Sequence, residues 1–215
     1  MATFAHSEHQ TAIKPLDVDG GTKLYMNGKK TVMFSFHRAE VLIQMEDGSS
    51  RPYTSQRGVI VAPHGAKVLP YFKFGKEWFV VMVEQFRIAL PDQTLEAAGG
   101  EVDEKDPIES MVRELQEEAG IPVPKENINL VYAAYIQPSM MAAKAYGGIA
   151  RIKKSWLPRT LIGGEWAQNE YTVLCVQNLL DLLRARNKGE LVFDLETWML
   201  LDAVATKVGL IKKHY

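Results

Sequence analysis

The sequence predicts an α/β fold, and three observations carry that prediction. From Gly58 onward the chain holds near-continuous apolar runs of strand length. Residues 106–121 pattern as an amphipathic acidic helix with clear start and stop signals. Two further apolar helices follow near the C-terminus. Near-continuous apolar runs suit strands covered on both faces, and the helices supply the cover.

Residues 1–20 are polar and are expected to be loosely held. Residues 32–36 and 40–45 read as strands, and Glu46-Asp47-Gly48-Ser49-Ser50 is a turn signal between strands. Residues 1–57 are therefore expected to form a small N-terminal sheet, and residues 58–215 the main domain. The longer strands lie at 59–62, 78–83, 129–135, 148–152 and 171–176. Residues 177–186 and 196–208 carry the two later helices. No repeat or low-complexity block interrupts this order.

The acidic helix is the most informative stretch. Asp106 is a good N-cap, Pro107 fits the first helical position and Glu109 completes a capping box. Ile108, Met111, Val112 and Leu115 make one apolar stripe. Gly120 is a natural stop. Glu114 and Glu118 share a face at i,i+4, which in an isolated helix is destabilising by roughly a few tenths of a kcal/mol. Glu117 adds a third charge on the neighbouring row. Such a cluster needs either bulk solvent or a cation. A solvated acidic face is the ordinary outcome; a hard divalent ion on carboxylate oxygens is the other.

The flanking residues bear on that choice. Gly99, then Arg113-Glu114-Leu115-Gln116-Glu117-Glu118-Ala119-Gly120-Ile121, resembles the Nudix box at an unbroken spacing. Glu84-Gln85-Phe86-Arg87, followed by Leu95-Glu96 and Ala98-Gly99, is similar to the ADP-ribose pyrophosphatase branch of that family. The resemblance runs from about Gly58 to Ala205 and is strongest at 84–121. It implies a mixed sheet between helices, with the N-terminal sheet crossing to a partner in a homodimer. It also implies Mg²⁺- or Mn²⁺-dependent hydrolysis of a nucleoside diphosphate sugar, ADP-ribose by preference. Glu114, Glu117 and Glu118 would carry the metal, with the backbone carbonyl of Ala98, and Arg113 would pin the glutamates or the loop. Glu84 and Arg87 would meet substrate, while Phe36 and Tyr53 would hold the base.

Two departures from the family pattern stand out. Lys105 occupies the place of the usual box glutamate, with Glu101, Asp103 and Glu104 nearby. The loop at 138–146, where this branch often places a catalytic base, has no carboxylate. Glu165 and Glu170 could lend one, or could be plain surface charge. These departures keep a second reading open: a Nudix protein that binds a nucleotide sugar as a sensor without turning it over.

Several residues have two readings from sequence. Arg87 has a planar fork that suits a phosphate, or a surface salt bridge. Phe36, Tyr53 and Trp78 can stack on a base, or pack a core. His37 and His64 lack partners at metal-ligand spacing and read as ordinary histidines. Cys175, the only cysteine, sits in a strand and reads as a buried structural thiol. The net charge of −1 gives no electrostatic case for nucleic acid. No apolar run approaches the roughly 20 residues of a membrane span, so neither partner is expected. The N-terminus lacks a signal-peptide core, and a cytoplasmic setting is expected.

Overall fold

The computed structural model describes residues 10–26, 29–44, 48–87, 92–103, 105–159, 162–163, 172–191 and 193–212. The chain divides into two compact units. One takes Met1–Pro63 with Tyr135–Ala143, the other His64–Ala134 with Lys144–Tyr215.

The first unit is a three-stranded antiparallel sheet of β1 (Gln10–Met26), β2 (Lys29–Gln44) and β3 (Ser50–Val61), in that order. The expectation of a loose N-terminus is corrected from Gln10 onward, because β1 pairs along β2. Its register breaks at Pro15/Asp17 and Asp19/Thr22. Pro15 lacks a ladder N–H and Gly20-Gly21 weakens the strand, so these residues hid it from a propensity reading. The two short strands expected at 32–36 and 40–45 are one, β2, held in unbroken register from Met33↔Val61 to Gln44↔Ser50. Pro52 is accommodated because β3 lies at the edge of this sheet. The unit also runs past the expected boundary at 57. β3 continues to Val61, and Ile60 exchanges backbone hydrogen bonds with Met140 (2.8 Å) and Ala142 (2.9 Å).

The second unit is a mixed sheet with helices on both faces. Its strands are β4 (Gly65–Phe74), β5 (Glu77–Arg87), β6 (Asp92–Glu96), β7 (Ala98–Glu101), β8 (Ile128–Tyr135), β9 (Lys144–Arg151), β10 (Ile162–Gly163) and β11 (Thr172–Asn178). The main order is β10-β11-β5-β4-β9-β8, with β6 on β5 and β7 on β4. β4 and β9 are parallel, whereas β4–β5 and β5–β11 are antiparallel. The helices are α1 (Pro107–Ala119), α2 (Leu179–Asn187) and α3 (Leu195–Lys207).

Alternation along β4 and β5 splits the core in two. Val68, Phe72, Val81 and Val83 pack with Met111 and Leu115 of α1. Leu69, Tyr71, Val80 and Met82 pack with Leu179, Leu182, Leu200 and Leu201 of α2 and α3. Each such side chain, fully buried, contributes about 1.5–3 kcal/mol. The α2 helix starts at Leu179 because Asn178 caps it, accepting from the N–H groups of Leu180 and Asp181. Among the described residues, no helix is long and apolar enough to cross a membrane.

Candidate functional site

The corner formed by β7 and α1 gathers the acidic residues. Asp106 caps α1 by accepting the Ile108 N–H at 3.0 Å, and Pro107 occupies the first position. The capping box is not completed. Glu109 turns outward, its Oε1 3.3 Å from Lys125 Nζ. Gly120 closes the helix at φ 61°, a left-handed conformation that favours glycine. Met111 and Leu115 hold the apolar stripe on the sheet.

Glu114 and Glu118 are each only 7% exposed, whereas Glu117 is exposed. Glu118 Oε2 accepts the Gly99 N–H at 2.9 Å. Arg113 Nη1 lies 2.9 Å from Glu114 Oε1 and 2.8 Å from Glu117 Oε2. Its Nη2 donates to the Glu101 carbonyl at 3.0 Å and lies 3.5 Å from Asp103. Arg113 thus pins both the glutamates and the loop. The two glycines are needed for close approach. A Cβ on Gly100 would collide with the Glu114 carboxylate, and one on Gly99 would collide with the Ala66 carbonyl. Ala98 is buried beside them, paired with Val68.

Among the described residues, no three His, Cys, Asp or Glu side chains are grouped to hold a metal ion. In this arrangement the Arg113 guanidinium sits against Glu114 and Glu117 instead. The donor set still suits a hard divalent ion: two buried carboxylates one helical turn apart, beside a strand carrying a closely packed glycine pair. A groove of about 470 Å³ runs along the outer side of α1, lined by Val112, Arg113, Gln116, Glu117 and the 122–124 turn. It takes in Arg113 and Glu117 but neither Glu114 nor Glu118.

Arg87 makes a forked ion pair with Glu96, Nε to Oε1 and Nη2 to Oε2, both at 2.7 Å. The salt-bridge alternative is therefore realised, although the Arg87 side chain stays 40% exposed and the charge of Glu118 also acts on it. Lys67 Nζ lies 2.7 Å from Glu96 Oε2 and 3.1 Å from Asp194 Oδ2. Burial alone would raise the Glu96 pKa. The Arg87 hydrogen bonds, the Lys67 charge and the Thr94 hydroxyl outweigh it and hold the carboxyl down at about 2. Asp194 in turn caps α3, accepting the Thr197 N–H at 2.9 Å, and Thr197 Oγ1 accepts the Ala97 N–H at 3.0 Å. This hub was missed as a unit in the sequence. The one available signal was Lys67, a charge near the start of the apolar run of β4, flanked by the buried Ala66 and Val68.

The remaining candidates fall elsewhere. Glu84 shares the alternation of Val80 and Met82, which places it on the face away from α1. Its Oε2 lies 3.9 Å from Cys175 Sγ. Burial and the Glu84 charge push that thiol's pKa up, in keeping with an inert cysteine. Phe36 stands opposite Gly58 and Tyr53 opposite Val41 in the first unit, and their side chains lie outside the described residues. Glu104, Glu165 and Glu170 also lie outside them, while Lys105 is exposed. His64 Nδ1 accepts the Lys144 N–H at 3.2 Å, an ordinary structural role. Tyr132 has its hydroxyl buried with no hydrogen-bond partner among the described residues, and burial raises its pKa.

Comparison with known proteins finds no family model that matches the chain and no curated protein that matches it significantly. The family resemblance therefore rests on the motif residues themselves.

Proposed function

We propose that the chain is a Nudix-type hydrolase, dependent on a divalent metal and homodimeric. Its substrate in this reading is a nucleoside diphosphate sugar, ADP-ribose by preference. The observation that supports this most is the burial of Glu114 and Glu118 side by side against a glycine pair. Arg113 and the Gly99 N–H offset part of the cost of burying these carboxylates, and two carboxylates one helical turn apart are a donor pair that a hard divalent ion accepts. Glu114, Glu117, Glu118 and the Ala98 carbonyl would hold Mg²⁺ or Mn²⁺. When bound, that ion neutralises phosphate charge and polarises the phosphoryl oxygen.

The chain's own residues do the rest. Gly99 N–H orients Glu118. Arg113 steadies Glu117, and Glu117, or a loop acid among Glu101, Asp103 and Glu104, takes the proton of the attacking water. The water oxygen forms the new P–O bond as the bridging P–O bond breaks, giving a nucleoside monophosphate and a sugar phosphate. Arg87 turns its exposed edge to a phosphate while Glu96 holds the other edge. The test is a hydrolysis screen over nucleotide sugars with Mg²⁺ and with Mn²⁺, ADP-ribose being cleaved fastest.

A second reading, a nucleotide-sugar sensor, draws on Arg113 as the neutralising group of Glu114 and Glu117 and on the carboxylate-free 138–146 loop. Tight calorimetric binding with no hydrolysis of any sugar in the screen selects it.

A further inference from the structure

The tip of the β4–β5 hairpin carries a charge pattern that the net charge conceals. Residues 71–78 and 151–156 hold five cations, Lys73, Lys76, Arg151, Lys153 and Lys154, against one acid, Glu77, in a chain of net charge −1. Strand pairing brings the two segments together: Tyr71 lies opposite Arg151, and Ile152 N–H donates to the Tyr71 carbonyl at 2.9 Å. All five cations are exposed. Among the described residues, none of the five has a carboxylate partner.

Aromatic rings hold four of these cations in place. Lys73 Nζ and the Arg151 guanidinium each lie 5.7 Å from the centre of the Trp78 ring. Lys154 Nζ lies 3.5 Å from the Phe74 ring and Lys153 Nζ 5.8 Å from Trp156. Such contacts fix a cation without neutralising it. Lys73 and Trp78 stand on one side of the strand pair, Phe74 and Lys154 on the other, so the charge forms a collar around the tip. Phe74 projects from its centre, 55% exposed, next to Gly75 in a left-handed turn at φ 62°.

We propose that this hairpin tip docks on an anionic phospholipid surface, with Phe74 entering the interface and the collar meeting the headgroups. A protruding apolar residue ringed by lysines gains both apolar burial and attraction to acidic lipid. The long lysine stems let each charge stay at headgroup level. Single-stranded nucleic acid fits less well, because it needs open ring faces for its bases. Here three rings already carry a cation. The expectation of no membrane partner concerned a spanning segment, and a peripheral contact needs none.

The test is cosedimentation of the full chain with vesicles of phosphatidylcholine alone, and with roughly one third phosphatidylserine added. The chain is expected to pellet with the anionic vesicles only, and to be released as salt rises. Lys76→Glu with Lys154→Glu should weaken binding at least about tenfold. Phe74→Ser should weaken it without changing the salt dependence. Both variants alter exposed positions and should melt as the wild type does. The proposal is overturned if the wild type ignores both vesicles or binds them equally, or if the variants bind as it does. It is also overturned if a single-stranded oligonucleotide binds more tightly than the vesicles and is lost in the same variants.

Discussion

Gly99 donates its N–H to Glu118 Oε2 at 2.9 Å, tying the glycine loop to the acidic helix. That bond orients one carboxylate of the pair that the proposed metal would use.

Glu118→Gln should keep this bond, since an amide oxygen also accepts, and should remove the charge. Turnover on ADP-ribose is expected to fall by at least about a hundredfold, with the melting temperature equal to or slightly above that of the wild type. Near-normal turnover at saturating Mg²⁺ would sink the metal assignment.

Gly100→Ala should be felt in both fold and function, because its new Cβ meets the Glu114 carboxylate. The expected cost is about 1–3 kcal/mol in urea unfolding, with activity reduced further than stability alone explains. A variant as stable and as active as the wild type would contradict this close approach.

Glu96 gives a pH dependence. Its folded pKa is about 2, below the ordinary value of 4.5. A depressed carboxyl contributes stability that is fully present above the unfolded pKa and is lost as pH falls through the folded one. The loss should therefore fall between pH 4.5 and about 2 and amount to at most about 3 kcal/mol. Unfolding in urea across that range measures it. Glu96→Gln should flatten this part of the curve while lowering stability near neutrality, because Lys67 and Arg87 lose their shared partner. An unchanged slope would remove Glu96 from the account.

The three-stranded sheet of the first unit is thin for a self-sufficient core, and a homodimer is expected to cover it. Light scattering should give twice the 24.2 kDa chain mass at micromolar concentration. Full activity in a species of single-chain mass would end that idea.

Local signals were legible where one residue decides one conformation. Asp106, Pro107 and Gly120 bound α1 as expected, but of its stripe only Met111 and Leu115 are buried, Ile108 and Val112 are half-buried, and the buried face extends instead to Glu114 and Glu118. Arg113 pins the glutamates and the loop as its motif position implies. Long-range pairing was not legible. β1 was hidden by Pro15 and Gly20-Gly21, because its partner β2, not its composition, makes it a strand. The Lys67–Glu96–Arg87 hub joins residues whose proximity only the sheet creates. Glu84 reads as a site residue in sequence, yet strand alternation turns it from α1.

The bond from Ala97 N–H to Thr197 Oγ1 spans 100 residues of sequence. Contacts of such separation must await closure of a long loop. The peptide leading into the glycine pair can be locked only after the start of α3 has left the ribosome. During synthesis, the acidic corner can therefore pair β7 with β4 and close Gly99 on Glu118 early, while the tie that seats its entry peptide against α3 comes last.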